Sequence, residues 1–282
     1  NESWHNGLEG GGGLAELRAL TAYMNQNTNI LVAASAPADN ECASMQEIYN
    51  GNIADIATIH FDRDPNKADG LWRPVRQPWD YNFCPGIPKI GSNNEPIGPG
   101  ASVAADDDPY RLVSAAITTY LSNLPLYVYH DDAGIRGRVG WSSSVSAFRS
   151  MKSYLPLDLS NWDRQNHHWA GHPFVVYADG TPNAVWPDGY SSGVVRAYAA
   201  IKAGQFLVLP MGIQGHVQMQ AKSDMNFDAI DPVSGQTVAN VCLKQGESVS
   251  LSGLSAYVLK GHHTSTCSSR GNIAVGGAPV AP

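Results

Sequence analysis

Four short apolar runs, at residues 29–34, 54–61, 88–93 and 125–130, set the limits on what this chain can fold into. Each is separated from the next by a crossing of helical or loop character, and such alternation builds a parallel sheet. None approaches the ~18 apolar residues that a membrane span needs. The third run ends at Asn94-Glu95-Pro96, with Gly98, Pro99 and Gly100 close behind. Proline and glycine break both the sheet ladder and the helix, so Glu95 is expected at a strand end, on a loop that opens a surface. Asp106-Asp107-Asp108-Pro109 then reads as a helix start, followed by Leu112, Val113, Ala116, Ile117, Tyr120 and Leu121 on one face.

Around this pattern the chain predicts a helix over 14–26, a short helix over 44–49, a long loop over 66–88 and a helix over 141–155. Residues 156–204 hold scattered aromatics and prolines, with a short helix expected over 194–203. From Gln205 onward short β runs alternate with turn signals such as Asp231-Pro232-Val233-Ser234-Gly235 and Lys244-Gln245-Gly246-Glu247. These imply a small antiparallel β-sandwich over 205–270 and a tail over 271–282.

Eighteen basic residues against 25 acidic ones give a net charge of −7, and no basic stripe invites nucleic acid. No cationic cluster sits beside an apolar segment, so no membrane partner is expected. Four cysteines allow three pairings. Cys242 and Cys267 share the C-terminal part, and Cys42 with Cys84 would staple two loops. None has CxxC or CxxH spacing, and His167, His168, His172 and His262-His263 lack a matched carboxylate, so no metal site is expected. Gly10 to Gly13 lack the Lys-Ser/Thr of a phosphate loop, and no cofactor is implied. The abundance of Trp, Tyr, Gly and Pro resembles that of secreted carbohydrate-active proteins, hence an extracellular or surface-associated location.

Asn1-Glu2 and Asn94-Glu95 carry a more specific resemblance, to the clan of retaining glycoside hydrolases built on a (β/α)8 barrel. That clan's acid/base glutamate follows an asparagine at the end of strand four, and its nucleophilic glutamate ends strand seven. The resemblance implies that Glu2 takes the first position, that the runs at 29–34 and 54–61 are strands five and six, and that Glu95 ends strand seven. The chain would then be α/β: residues 1–155 the C-terminal half of a TIM-type barrel, 156–204 a connecting segment and 205–270 the sandwich. In the rival register Asn94-Glu95-Pro96 closes strand four, which leaves only Glu247 downstream as a second glutamate. Glu9, Glu16, Glu41 and Glu47 are alternatives to Glu2. Such a barrel takes ~250 residues, so the missing half is expected in cis or from another chain, and a homo-oligomer is possible.

On this resemblance the substrate is a β-linked glycan, cleaved with retention by Glu95 and Glu2. Asn1 and Asn94 would bond sugar hydroxyls, and His60 would touch the nucleophile. Trp4, Trp72, Trp79 and His130 would stack on sugar rings. Arg76, with Arg73, would read an acidic sugar, although ion pairs to Asp62, Asp64 or Asp80 explain both equally well. The alternative is a structural or glycan-binding protein that keeps the barrel without turnover.

Overall fold

The computed structural model describes residues 13–35, 42–60, 66, 70–81, 87–88, 90–93, 97–98, 106–122, 126–127, 144–178, 181–182, 195–268 and 273–276. The chain divides into two units. One holds Asn1–Pro65, Arg73–Asp107 and Ala115–Val139; the other holds Asn66–Trp72, Asp108–Ser114 and Gly140–Pro282.

From residue 13 to 127 the order is α1 (Gly13–Asn27), β1 (Ala33–Ser35), α2 (Cys42–Tyr49), β2 (Ile56–Ile59), α3 (Arg73–Tyr81), β3 (Ile90–Asn93), α4 (Pro109–Leu121) and β4 (Leu126–Tyr127), all in the first unit except the start of α4, up to Ser114, which belongs to the second. The strands form one sheet in the order β1-β2-β3-β4, each parallel to its neighbour. The four apolar runs therefore form one parallel sheet, as their alternation predicts, and its strands lie in chain order.

Side chains as well as ladder bonds join β1 to β2. At the entry, the Asp55 carboxylate accepts the Val32 N–H at 2.9 Å while the Val32 carbonyl accepts the Asp55 N–H at 2.9 Å. Further along, the buried Tyr49 of α2 donates its hydroxyl to the Ala34 carbonyl and accepts the Thr58 N–H at 3.0 Å. Burial pushes the Tyr49 hydroxyl up to about 12. Met45, Ile48, Ala57 and Ile59 close around it as a core. The end of α2 is held from α1, where the Arg18 guanidinium donates to the carbonyls of Glu47, Ile48 (2.8 Å) and Asn50 (2.7 Å). Gly51 at φ 89° and Asn52 at φ 55° then take the left-handed conformation that stops a helix.

Helix α3 occupies part of the stretch expected as a loop over 66–88, after a single 3-10 turn at Gly70–Trp72. Two prolines hid it. Pro74 lies in the first turn, where no N–H is needed, whereas Pro78 stands in the interior and lacks an N–H for the helix ladder. Every residue from Arg73 to Trp79 is buried, so tertiary packing outweighs the proline.

The start of α4 matches expectation: Asp108 Oδ1 accepts the N–H groups of Tyr110 (2.8 Å) and Arg111 (3.2 Å), with Pro109 in the first position. Its burial is wider than the single apolar face expected, since Ser114, Thr118 and Thr119 are buried along with Leu112, Val113 and Ile117. The hydroxyls answer this by turning back onto the helix. Thr119 donates to the Ala115 carbonyl at 2.7 Å, and Ser122 donates to that of Thr118 at 2.6 Å.

The second unit continues with α5 (Ser144–Tyr154), β5 (Asp163–Gln165), β6 (Phe174–Ala178), β7 (Thr181–Pro182), β8 (Arg196–Lys202), β9 (Gln205–Met211), β10 (His216–Ala221) and β11 (Met225–Ile230). It ends with β12 (Thr237–Leu243), β13 (Ser248–Ser252), β14 (Val258–His263) and β15 (Ile273–Gly276). One sheet runs β12-β11-β14-β9-β8-β5, the other β15-β13-β10-β6-β7. Both supply one core, in which Phe174 meets Phe206 and Phe227 edge to face at 5.8 and 5.6 Å. Gly261 stands between Phe227 and Phe206 in the register, and the absence of a side chain there lets the two rings approach to 6.2 Å.

Three expectations are corrected here. The helix expected over 194–203 is strand β8, which turns through Ala203 (φ 48°) and Gly204 (φ 82°) into β9. An apolar run buried on both faces looks alike as strand or helix. Residues 156–204, expected as a connection, supply β5 to β8 to the two sheets. Residues 273–276, expected in a tail, form β15 parallel to β13. Cys242 and Cys267 are joined in a disulfide with Cα atoms 5.7 Å apart. The side chains of Cys42 and Cys84 lie outside the described residues.

Candidate functional site

A parallel sheet sends all its strand C-termini to one edge, and ligands bind beyond that edge. Here Ser35, Thr58, Ser92 and Leu126 are level, and Ile59, Asn93 and Tyr127 stand one step further. His60 follows immediately after β2 and is wholly buried. The Asn93 amide, also wholly buried, donates to Thr119 Oγ1 at 3.0 Å, which ties the end of β3 to α4. Thr119 in turn donates to the Ala115 carbonyl, so the contact is anchored at both ends. The structure thus brings His60 and Asn93 to the ends of adjacent paired strands.

The other expected site residues are distributed differently. Asn1, Glu2, Trp4, Asn94, Glu95 and His130 lie outside the described residues. Trp72 is half-buried in the 3-10 turn. Trp79 is 1% exposed and Arg76 2% within α3, so in this structure the indole offers no ring face to a ligand and the guanidinium is held inside. Arg73 is likewise buried. The clamp from Asn93 to Thr119 escaped sequence reasoning, although a polar residue closing an apolar strand beside a hydroxyl-rich helix was a usable signal.

Among the described residues no group of three or more His, Cys, Asp or Glu side chains is placed to hold a metal. His167 and His168 meet edge to face at 5.3 Å, and His172 is buried in a separate role. Its Nδ1 lies 2.9 Å from the Phe174 carbonyl oxygen. Burial pushes its pKa down to about 3; the Phe174 carbonyl opposes this, and the charges of His167 and Lys222 add to it.

No protein-family model matches the chain. No curated protein matches either. A solved structure described as "Glycoside hydrolase" aligns with a TM-score of 0.56 at 12% identity, over 90% of this chain and 62% of its own. The fold is glycoside-hydrolase-like. An endoxylanase of glycoside hydrolase family 30 from Clostridium papyrosolvens aligns at TM-score 0.48 and 11% identity, over 89% of this chain and 61% of its own. A family 5 glycoside hydrolase from Bacteroides vulgatus aligns at 0.43 and 13%, over 90% and 66%. The chain spans about three fifths of the length of the first two.

Proposed function

We propose that this protein hydrolyses a β-linked glycan with retention, Glu95 acting as nucleophile and Glu2 as acid/base. The observation that carries this reading is the parallel succession β1-β2-β3-β4, in which Glu95 comes two residues after the end of the third strand. Read as strands five to eight of a barrel, that succession makes Glu95 the residue closing strand seven. The glycoside-hydrolase-like fold supports the same reading.

In the mechanism, the carboxylate of Glu95 attacks the anomeric carbon while the protonated carboxyl of Glu2 gives its proton to the leaving oxygen. Glu2, now a carboxylate, then takes a proton from a water that attacks the anomeric carbon and displaces Glu95, with the two groups ~5–5.5 Å apart. The negative nucleophile raises the pKa of its partner, which keeps the acid protonated until it is used. Asn1 and Asn94 hold sugar hydroxyls, Trp4 and His130 contact ring faces, and His60 orients the nucleophile from the neighbouring strand.

The half-barrel is part of the proposal. Among the described residues β1 is an edge strand, and Leu20, Tyr23, Ile30 and Leu31 on α1 and the approach to β1 are 61–66% exposed. An open strand edge with apolar neighbours suits a further strand-and-helix half, in cis or from another chain, including a second copy. Because β5 to β8 join the sheets, the proposed sandwich starts near residue 156 rather than 205. The Cys242–Cys267 disulfide favours an extracellular or surface location.

Glu95→Gln and Glu2→Gln test the reading on a panel of β-linked glycans. Turnover should fall by about 10²–10⁴-fold in each, with binding retained, and NMR of the first product should show the anomeric configuration preserved. Wild-type turnover in Glu95→Gln would refute the assignment. The open edge of β1 also favours a second reading, a non-catalytic structural or glycan-binding protein whose barrel is completed in an assembly. That protein would bind members of the panel and hydrolyse none.

A further inference from the structure

We propose that the exposed corner of the six-stranded sheet, where β12, β11, β14 and the first residue of β9 meet, binds a neutral oligosaccharide, at a site belonging to the second unit. Residues opposite each other in an antiparallel pair share a face, and the register here assembles a polar one. Asp228 of β11 stands opposite Asn240 of β12 on one side and Lys260 of β14 on the other. Two residues along the strands, Asn226 stands opposite His262, and His262 opposite Gln205 of β9. The alternate residues Phe227, Val241 and Leu259 go into the core. Two cavities of about 620 and 630 Å³ lie on this face and share Asp228, Lys260 and His262, so they form one groove. Trp162 and the end of α5 line it at one end, and Cys242 of the disulfide lines it at the other.

The lining decides the class of ligand. Asn240 Nδ2 donates to Asp228 Oδ1, and a carboxylate has further lone pairs to offer. Lys260 supplies donors, the carboxamides of Asn226, Asn240 and Gln205 supply both kinds of group, and His262 exposes its ring. Donors and acceptors therefore alternate at the cross-strand spacing of ~4.5–5.5 Å, which suits hydroxyls that both donate and accept. The row Asn240-Asp228-Lys260 extends over three strands, ~10 Å, and stops at the buried Leu207 of β9, which leaves room for about two sugar rings of a short oligosaccharide. One carboxylate faces one ammonium, so no net field selects a phosphate, a uronate or a cation. β11 and β14 are interior strands with their backbone groups paired, so an extended peptide cannot join the sheet there. None of these residues enters the proposed catalysis, and the site stands or falls independently of Glu2 and Glu95.

The test is a ¹⁵N NMR titration of the full chain, carrying Glu95→Gln to prevent turnover, with cellotetraose, xylotetraose and a tetragalacturonate. The expected result is saturable shifts at Asn226, Asp228, Lys260 and His262 with at least one neutral sugar and none with the uronate. Asp228→Ala and the exposed His262→Ala should each weaken that binding at least fivefold. The proposal is overturned if neither neutral sugar shifts these amides at about 10 mM. Unchanged affinity in both variants, or equal binding of the uronate, would overturn it too.

Discussion

Lowering the pH from 7 to 5 should remove about 2 kcal/mol of stability from the β unit through His172 alone. The imidazole is 1% exposed, and its pKa falls from 6.5 to about 3, chiefly through burial. In the interval between those values the unfolded chain binds a proton that the folded chain refuses. The contribution is therefore whole above pH 6.5 and is lost progressively as the pH drops toward about 3. At pH 5 the folded imidazole is almost entirely neutral and the unfolded one almost entirely charged, which yields the figure above by linkage. The control is His172→Asn, whose side-chain oxygen can stand in for Nδ1 as acceptor of the Phe174 N–H, 3.1 Å away, without titrating. Hydrogen exchange of the β6 and β10 amides reports the opening energy of this unit without assuming that the whole chain unfolds at once. Wild type should lose about 2 kcal/mol more than the Asn variant between pH 7 and pH 5. Equal losses in the two proteins, or an imidazole NMR titration near 6, would show the reasoning to be wrong.

Gly261→Ala should cost about 3 kcal/mol or more, because the new Cβ would lie 2.2 Å from the Asn226 carbonyl oxygen and 2.8 Å from the Phe227 Cα, where backbone cannot yield. Urea unfolding of the β unit measures this, and a wild-type midpoint would contradict the close approach of β14 to β11. Arg18→Ala should cost about 1–3 kcal/mol by releasing the carbonyls at the end of α2. The loss should appear as faster exchange of the α2 amides, with Arg18→Lys intermediate; an unchanged α2 would mean that solvent replaces the guanidinium at no cost.

Much of the parallel sheet and its helices was legible because their rules are local. Runs of apolar residues punctuated by proline and glycine disclose strands, and Asp108-Pro109 discloses a helix start whose bonds close within three residues. The strands after 205 were legible for the same reason, since the Asp231 and Gly246 turns satisfy themselves: Asp231 accepts the Val233 N–H at 2.9 Å, and the Glu247 N–H returns to the Lys244 carbonyl at 3.0 Å. Helix α3 broke the local rule by tolerating Pro78. Strand β8 offered an alanine-rich run whose two buried faces erase the period that would distinguish strand from helix. Trp79 and Arg76 illustrate the limit for sites, because residue type nominates an aromatic or a cation for binding while only its neighbours decide whether it meets solvent.

From its residues alone, then, this chain determines where its parallel strands run and that Glu95 follows the third of them. Only the tertiary structure decides that the strands pair in chain order, that Asn93 is clamped to Thr119, and that Asn226, Asp228 and Lys260 share one face. The difference is one of range. Turn and cap chemistry is settled among neighbours in sequence, whereas pairing, register and burial depend on contacts between distant segments whose energies no single stretch contains.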